Sequence, residues 1–251
     1  MYQAQREPTS TFVSLRDCRY HLLRWGPPSA TQPPLVLAHG WMDVAASWQF
    51  MVDALSEDFL RDRQIMAFDW RGYGLTESPA TDSYWFPDYL GDLDALLDVI
   101  SPQRAIDLVG HSMGGNVVTM FAGVRPDRIR RLVNLEGFGM PATRAAQAPR
   151  RLSQWLDELR QHREGAIDLK TYPDAGAVAD RLMKTNPRLP RDKAEWLARH
   201  GIDSEIVNGI TAGLAGATAC GIPLTYRGIS RGVTLVTAHT QDDSPLAWEA
   251  L

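Results

Sequence analysis

The residues whose types and spacing most clearly indicate catalysis form one short motif, Gly110-His111-Ser112-Met113-Gly114. A serine framed by glycines at this spacing is typical of a nucleophile held on a sharp turn between a strand and a helix. The predicted strand 106–109 precedes the motif, and a helical pattern begins near Asn116, so the sequence supplies the expected context. Ser112 is therefore predicted to be a nucleophile that attacks an electrophilic acyl carbon.

A serine hydroxyl is a weak nucleophile until a general base accepts its proton, and three histidines follow Ser112: His162, His200 and His239. His239 is the predicted base, because it comes directly after residues 233–238, a stretch typical of a strand. His162 is predicted to be a surface residue of an Arg-rich helical segment. His200 has no strand before it.

The elements that must position these side chains alternate along the chain. Apolar stretches at 35–38 and 65–68 are typical of strands buried on both faces, and further strands are predicted at 105–109 and 129–135. Helical patterns separate these stretches. The pattern predicts an α/β fold with a mostly parallel sheet and helices on both faces, opened by a hairpin. From residue 140 to 200 the strand patterns stop, which predicts a helical lid-like segment.

Three motifs together resemble the α/β-hydrolase family: GHSMGG at Ser112, His39-Gly40-Trp41 after the first buried strand, and Asp69-Trp70-Arg71-Gly72-Tyr73-Gly74 after the next. The resemblance covers about residues 10–200. It implies a serine hydrolase that acts on a small ester or related acyl substrate through an acyl-enzyme. It also implies that the backbone N–H groups of Trp41 and Met113 form the oxyanion hole.

The same resemblance implies further roles. Some family members carry the catalytic acid after the strand that follows the nucleophile, which makes Glu136 the acid candidate; the alternative is a carboxylate that only caps the turn at Gly137. Asp69 and Arg71 are expected to fix their loop and to take no part in catalysis. A serine at position 112 argues against dehalogenase or epoxide-hydrolase chemistry, for which this family uses an aspartate.

Residues 200–251 resemble an internal stretch of uroporphyrinogen-III C-methyltransferases, which methylate a tetrapyrrole with S-adenosylmethionine. This resemblance implies that Thr211 and Ala212 lie beside the methyl donor. The rest of that family's pattern, including its glycine-rich segment, is absent. The sequence thus predicts a mosaic: a hydrolase core at 1–138, a lid-like segment at 139–200, and a methyltransferase-like fragment at 201–251 that replaces the rest of the hydrolase core.

Three functional hypotheses follow from this mosaic. The first is an active serine hydrolase without a cofactor, in which Ser112, Glu136 and His239 form the triad. The second is a crippled hydrolase that lacks a proper triad histidine, because His239 would then come from another fold. The third is an S-adenosylmethionine-binding fragment.

Composition excludes several other classes of protein. The 251 residues are 44% hydrophobic and 22% charged, which is typical of a globular domain. The net charge of −4 gives no excess of basic residues for binding nucleic acid. Residues 210–224 are too few for a membrane span, and the first dozen residues do not resemble a secretory signal, so a cytoplasmic location is expected. Cys18 and Cys220 lack metal-ligand spacing, and no metal is predicted. A small molecule is the expected partner, and the oligomeric state stays open.

Overall fold

The computed structural model describes residues 2–79, 84–139, 144–164, 172–200 and 234–236. Seven strands form one sheet in the order β1-β2-β4-β3-β5-β6-β7. Their bounds are β1 Thr9–Leu15, β2 Cys18–Trp25, β3 Leu35–Ala38, β4 Ile65–Phe68, β5 Ile106–His111, β6 Ile129–Leu135 and β7 Thr234–Val236.

The sheet is mostly parallel, as predicted. The expected opening hairpin is present, since β1 and β2 pair antiparallel, and β2 also runs antiparallel to β4. The strands from β3 to β7 pair in parallel. β7 lies within the predicted strand 233–238 and pairs with the end of β6, where Leu135 is opposite Val236.

Seven α-helices accompany the sheet in the described residues: α1 Gln49–Ala54, α2 Glu57–Leu60, α3 Phe86–Ile100, α4 Met113–Val124, α5 Ala148–Arg163, α6 Ala175–Thr185 and α7 Arg191–His200. Short 3-10 turns span Ala45–Trp48, Pro126–Arg128 and Ala145–Gln147. None of the helices seen in these residues is long and apolar enough to cross a membrane.

Helices cover both faces of the sheet, which explains the continuous apolar stretches in its central strands. On β3, Val36 and Ala38 belong to the buried cluster under α3 and α4, whereas Leu35 and Leu37 belong to the cluster under α1 and α7. A strand that is buried on both faces needs apolar side chains at every position. The predicted helix layers on both faces are therefore confirmed.

The helical segment after β6 contributes α5, α6 and α7, and α7 packs onto the core. Trp196 and Leu197 of α7 are buried in the same cluster as α1. The Trp196 ring contacts Phe50 edge-on at 5.7 Å between centroids.

The parallel strands bring the predicted chemistry to one edge of the sheet. His39 follows β3, Asp69 follows β4, Ser112 follows β5 and Glu136 follows β6. Because the carboxyl ends of parallel strands meet at the same edge, ligands of open α/β sheets bind there. The candidate site is therefore built at this edge.

Candidate active site

Ser112 occupies a strained turn between β5 and α4. Its backbone has φ +50° and ψ −113°, outside the regions that residues with a side chain prefer. Two hydrogen bonds hold it there: Ser112 N–H donates to the Leu135 carbonyl at 2.8 Å, and the Asn116 N–H donates to the Ser112 carbonyl at 3.0 Å. Such strain, on the order of 1–3 kcal/mol, is typical of a functional turn.

The glycines of the motif are required by close packing of α4 on the sheet. A Cβ atom on Gly114 would lie 2.5 Å from the Ala38 carbonyl oxygen and would also meet that of His39. One on Gly110 would lie 2.6 Å from the Gly114 carbonyl oxygen. These neighbours are backbone atoms of a buried strand end or of the turn itself, so they have little room to shift.

We expect Gly114→Ala to lower the free energy of unfolding by about 3 kcal/mol, because overpacking against backbone forces the helix away from β3. Gly176→Ala in α6 is the matched control. There the new methyl group would meet only the Asp174 carboxylate at 3.1 Å. Since alanine favours a helix over glycine, the control should gain about 0.5 kcal/mol. Urea unfolding of both variants checks the opposite signs, and equal losses would contradict the packing argument.

The loop after β3 lies directly against the nucleophile. A Cβ atom on Gly40 would be 3.2 Å from the Ser112 Cβ and 3.0 Å from Nδ1 of His111. Trp41 follows Gly40, so its amide belongs to the loop that touches the turn. Met113 is the first residue of α4, where backbone N–H groups have no partner within the helix and the helix dipole is positive. The two segments that carry the predicted oxyanion-hole amides thus meet beside Ser112.

His39 fixes this loop and is not available as a base for Ser112. Its Nε2 accepts the Trp70 N–H at 3.0 Å, and its Nδ1–H donates to the Gly40 carbonyl at 2.7 Å. The ring is fully buried, and burial lowers the pKa of His39, which favours this neutral form. The Trp70 indole N–H closes the arrangement by donating to the His39 carbonyl at 3.0 Å.

We expect a pH-dependent stability from His39. Its pKa is lower in the folded than in the unfolded chain, so its contribution is complete above about pH 6.5 and is lost as the pH falls through the folded value. The slope from one histidine is at most about 1.4 kcal/mol per pH unit. Urea unfolding between pH 5 and 7.5 should show a shallower slope for His39→Gln than for the parent. Parallel slopes would contradict the assignment.

The partners predicted for Ser112 fall partly within the described residues. Glu136 is half-buried, has φ +60° and directly follows Leu135, whose carbonyl binds the Ser112 amide. His239 lies outside the described residues, and so do Thr211 and Ala212, which are predicted to lie beside the methyl donor. His200 is engaged elsewhere, because its ring stacks on Trp196 at 4.2 Å.

The sequence reasoning missed one imidazole–carboxylate pair beside the nucleophile. His111 Nδ1 lies 4.0 Å from Asp43 Oδ2, and both side chains are partly exposed. Asp43 comes four residues after His39, but a single carboxylate in a loop gives no signal in the sequence. No group of His, Cys, Asp and Glu within the described ranges is arranged to hold a metal ion.

The contacts of Asp69 and Arg71 agree with the loop-fixing roles expected for them. Asp69 accepts the Ala45 N–H at 2.7 Å and the Leu75 N–H at 2.9 Å. Arg71 makes a two-point contact with Asp92 of α3, at 2.5 Å from Nε and 2.8 Å from Nη2.

Comparison with known proteins identifies a protein family that the chain matches. The model of a family described as "alpha/beta hydrolase fold" matches residues 33–174. A thioesterase domain from the curacin biosynthetic pathway superposes with a TM-score of 0.71 at 23% identity, covering 92% of this chain and 83% of that domain. At that identity the superposition shows the fold alone.

Two curated relatives match different lengths of the chain. Epoxide hydrolase A of Mycobacterium tuberculosis is 33% identical over 143 residues, which is 57% of this chain and 42% of that enzyme. Uroporphyrinogen-III C-methyltransferase of Pseudomonas aeruginosa is 97% identical over 60 residues, 24% of each protein. The chain therefore spans less than half the length of either relative, and the predicted chimera with a methyltransferase fragment fits these matches.

Proposed function

The chain belongs to the alpha/beta hydrolase fold family, and from this premise we propose that it is a serine hydrolase that cleaves a small ester or related acyl substrate through an acyl-enzyme at Ser112. The observation that carries the proposal is the strained backbone of Ser112 at the start of α4, with φ +50°. Backbone strain at the end of a central strand is typical of a turn that presents a nucleophilic hydroxyl to a substrate.

In the proposed reaction, Ser112 Oγ attacks the acyl carbon and forms the Oγ–C bond. The hydroxyl proton passes to a base, for which His239 is the candidate, with Glu136 as its acid. The amides of Trp41 and Met113 bind the oxyanion, and each such donor contributes about 3 kcal/mol to transition-state stabilisation. The alkoxide leaves with the proton from the base, and water then attacks the acyl-enzyme in the reverse sense.

Apolar side chains on the loops around Ser112 favour an apolar acyl group. Trp41, Met42 and Phe138 are exposed by 47%, 41% and 74%. Phe138 follows Gly137, whose Cα would lie 3.0 Å from a Cβ on Gly115 of α4. These surfaces are suited to bind an acyl chain beside the nucleophile.

A serine nucleophile separates this proposal from the chemistry of the epoxide hydrolase relative. Ester cleavage through serine passes through an oxyanion, which in this proposal the amides of Trp41 and Met113 stabilise. We therefore expect ester substrates to be turned over and epoxides to be left unchanged.

An alkyl fluorophosphonate tests the proposal. We expect Ser112 of the native protein to gain a phosphonyl group, located by peptide mass spectrometry, and Ser112→Ala to lose the label at this position. Protein unfolded in urea before exposure is the control, because an unactivated serine does not react at a comparable rate. A natively folded protein that leaves Ser112 unlabelled would overturn the proposal.

The second candidate is a chimera in which Ser112 lacks a functional histidine. The 97%-identical match to a methyltransferase favours it, because the sequence of residues 200–251, which include His239, resembles that family of methyltransferases. Ester hydrolysis that falls by decades in His239→Ala supports the triad, and hydrolysis unchanged in that variant supports the chimera. Micromolar binding of S-adenosylhomocysteine in calorimetry would instead favour the methyl-donor site at Thr211 and Ala212.

A further inference from the structure

A second Ser–His–Asp chain of hydrogen bonds crosses the outer strands of the sheet. Ser10 Oγ on β1 lies 2.9 Å from Nε2 of His21 on β2, and Nδ1 of His21 lies 2.8 Å from Oδ2 of Asp69 at the end of β4. The three residues come from separate segments, 11 and 48 positions apart. Only the pairing of β1, β2 and β4 brings them together.

The backbone N–H groups around Asp69 determine which atoms donate and which accept in the Ser10–His21–Asp69 hydrogen bonds. The Asp69 carboxylate accepts two backbone N–H groups, from Ala45 and Leu75, so it acts as an acceptor towards every partner named for it. Nδ1 of His21 must therefore carry the proton that it shares with Asp69. In the neutral ring Nε2 then has the lone pair, and the Ser10 hydroxyl donates to it. These are the roles of the three groups in a serine-protease triad.

The base and its carboxylate are buried, whereas the nucleophile is exposed to solvent. His21 and Asp69 are only 3% and 2% exposed, whereas Ser10 lies on the solvent side of the outermost strand. The base is therefore held rigidly in a medium of low dielectric, where its hydrogen bond to Asp69 is strong. The nucleophile remains open to reagents.

The Ser10–His21–Asp69 hydrogen bonds are spatially separate from Ser112. Ser10 lies on β1, and the sheet order places β2, β4 and β3 between β1 and the β5 strand that precedes Ser112. Four strand spacings amount to about 19 Å. A small ligand bound at Ser112 cannot contact Ser10 at the same time.

We propose that Ser10, activated by His21 and Asp69, is a second nucleophilic serine that takes up the acyl or phosphonyl group of activated esters. With a fluorophosphonate, Ser10 Oγ forms a bond to phosphorus, the P–F bond breaks and fluoride leaves. The hydroxyl proton passes to Nε2 of His21 and then to water. With a nitrophenyl ester, the Oγ–C bond forms and nitrophenolate leaves in the same way.

The test uses the full-length Ser112→Ala protein, so that the first site cannot react. Ser14 is an internal reference, because it is an exposed serine on the same face of β1 and lies opposite Arg19, whereas the Ser10 hydroxyl contacts the His21 ring diagonally across the strand pair. After exposure to a fluorophosphonate or nitrophenyl acetate, we expect mass spectrometry to show Ser10 labelled about 100-fold faster than Ser14, the usual gain from a general base. Equal rates at the two serines would overturn the proposal.

His21→Gln on the same background should bring the Ser10 rate down to that of Ser14. The Ser10/Ser14 ratio in the unaltered hairpin decides the question even if this variant does not fold. A label at Ser10 that keeps its rate in folded His21→Gln would also overturn the proposal. Labelling of Ser112 is measured separately in the parent protein, so failure at one serine does not imply failure at the other.

Discussion

Ser112→Ala is expected to hydrolyse nitrophenyl esters at least about 10⁴-fold more slowly than the parent protein. The variant keeps the turn and the amides proposed for the oxyanion hole but has no oxygen to form the proposed acyl-enzyme, and loss of a triad nucleophile typically costs this much or more. Steady-state hydrolysis of nitrophenyl butyrate measures the change in kcat/KM. Residual activity within tenfold of the parent would show that the esterase chemistry occurs elsewhere.

Two further substitutions separate chemistry from strain at this position. Ser112→Cys keeps a nucleophile and should still form a covalent adduct with a reactive acyl donor. Ser112→Gly removes the nucleophile and also the strain, because glycine adopts φ +50° freely. We expect Ser112→Gly to be more stable than Ser112→Ala by about 1 kcal/mol or more in urea unfolding. Equal stabilities would show that the turn is not strained.

The central part of the fold could be predicted because burial on both faces leaves a direct mark in the sequence. The continuous apolar stretches became β3 and β4, the strands predicted at 105–109 and 129–135 became β5 and β6, and the glycine motif became the turn at Ser112. Each of these signals is local: it depends on residues that are neighbours in the chain.

The polar network could not be predicted, since its members meet only through strand pairing and helix packing. His21 and Asp69 are 48 residues apart, and Arg71 and Asp92 are 21 apart. No periodicity links such pairs, and a buried histidine in an outer strand looks like any other polar residue of a hairpin. The packing of α7 on the core could not be predicted from the sequence either, because the charged residues around Trp196 are typical of a surface helix.

Asp92→Ala is expected to lower the free energy of unfolding by about 3–5 kcal/mol. The Asp92 side chain on α3 is fully buried and accepts hydrogen bonds from Arg71, from Arg16 at 2.8 Å and from the Tyr20 hydroxyl at 2.6 Å. The Arg71 guanidinium stays charged when Asp92 is removed, because an arginine side chain is not deprotonated in proteins. The variant thus leaves a buried positive charge that keeps only the longer contacts of Arg71 to Asp17, at 3.4 Å, and to Asp88, at 3.9 Å.

Asp94→Ala is the matched control on the same helix. Asp94 pairs with Arg125 at 3.4 Å, but both side chains are partly exposed, and such a pair contributes at most about 1 kcal/mol. Replacing both members of the buried pair, as in Arg71→Met with Asp92→Leu, should restore most of the loss, because the cost arises from one unpaired charge and not from the absence of the pair. If the double variant remains as unstable as Asp92→Ala, the network stabilises the loop after β4 through its hydrogen-bond geometry. In that case the loop that carries Asp69 and Trp70 should lose its order together with the ion pair.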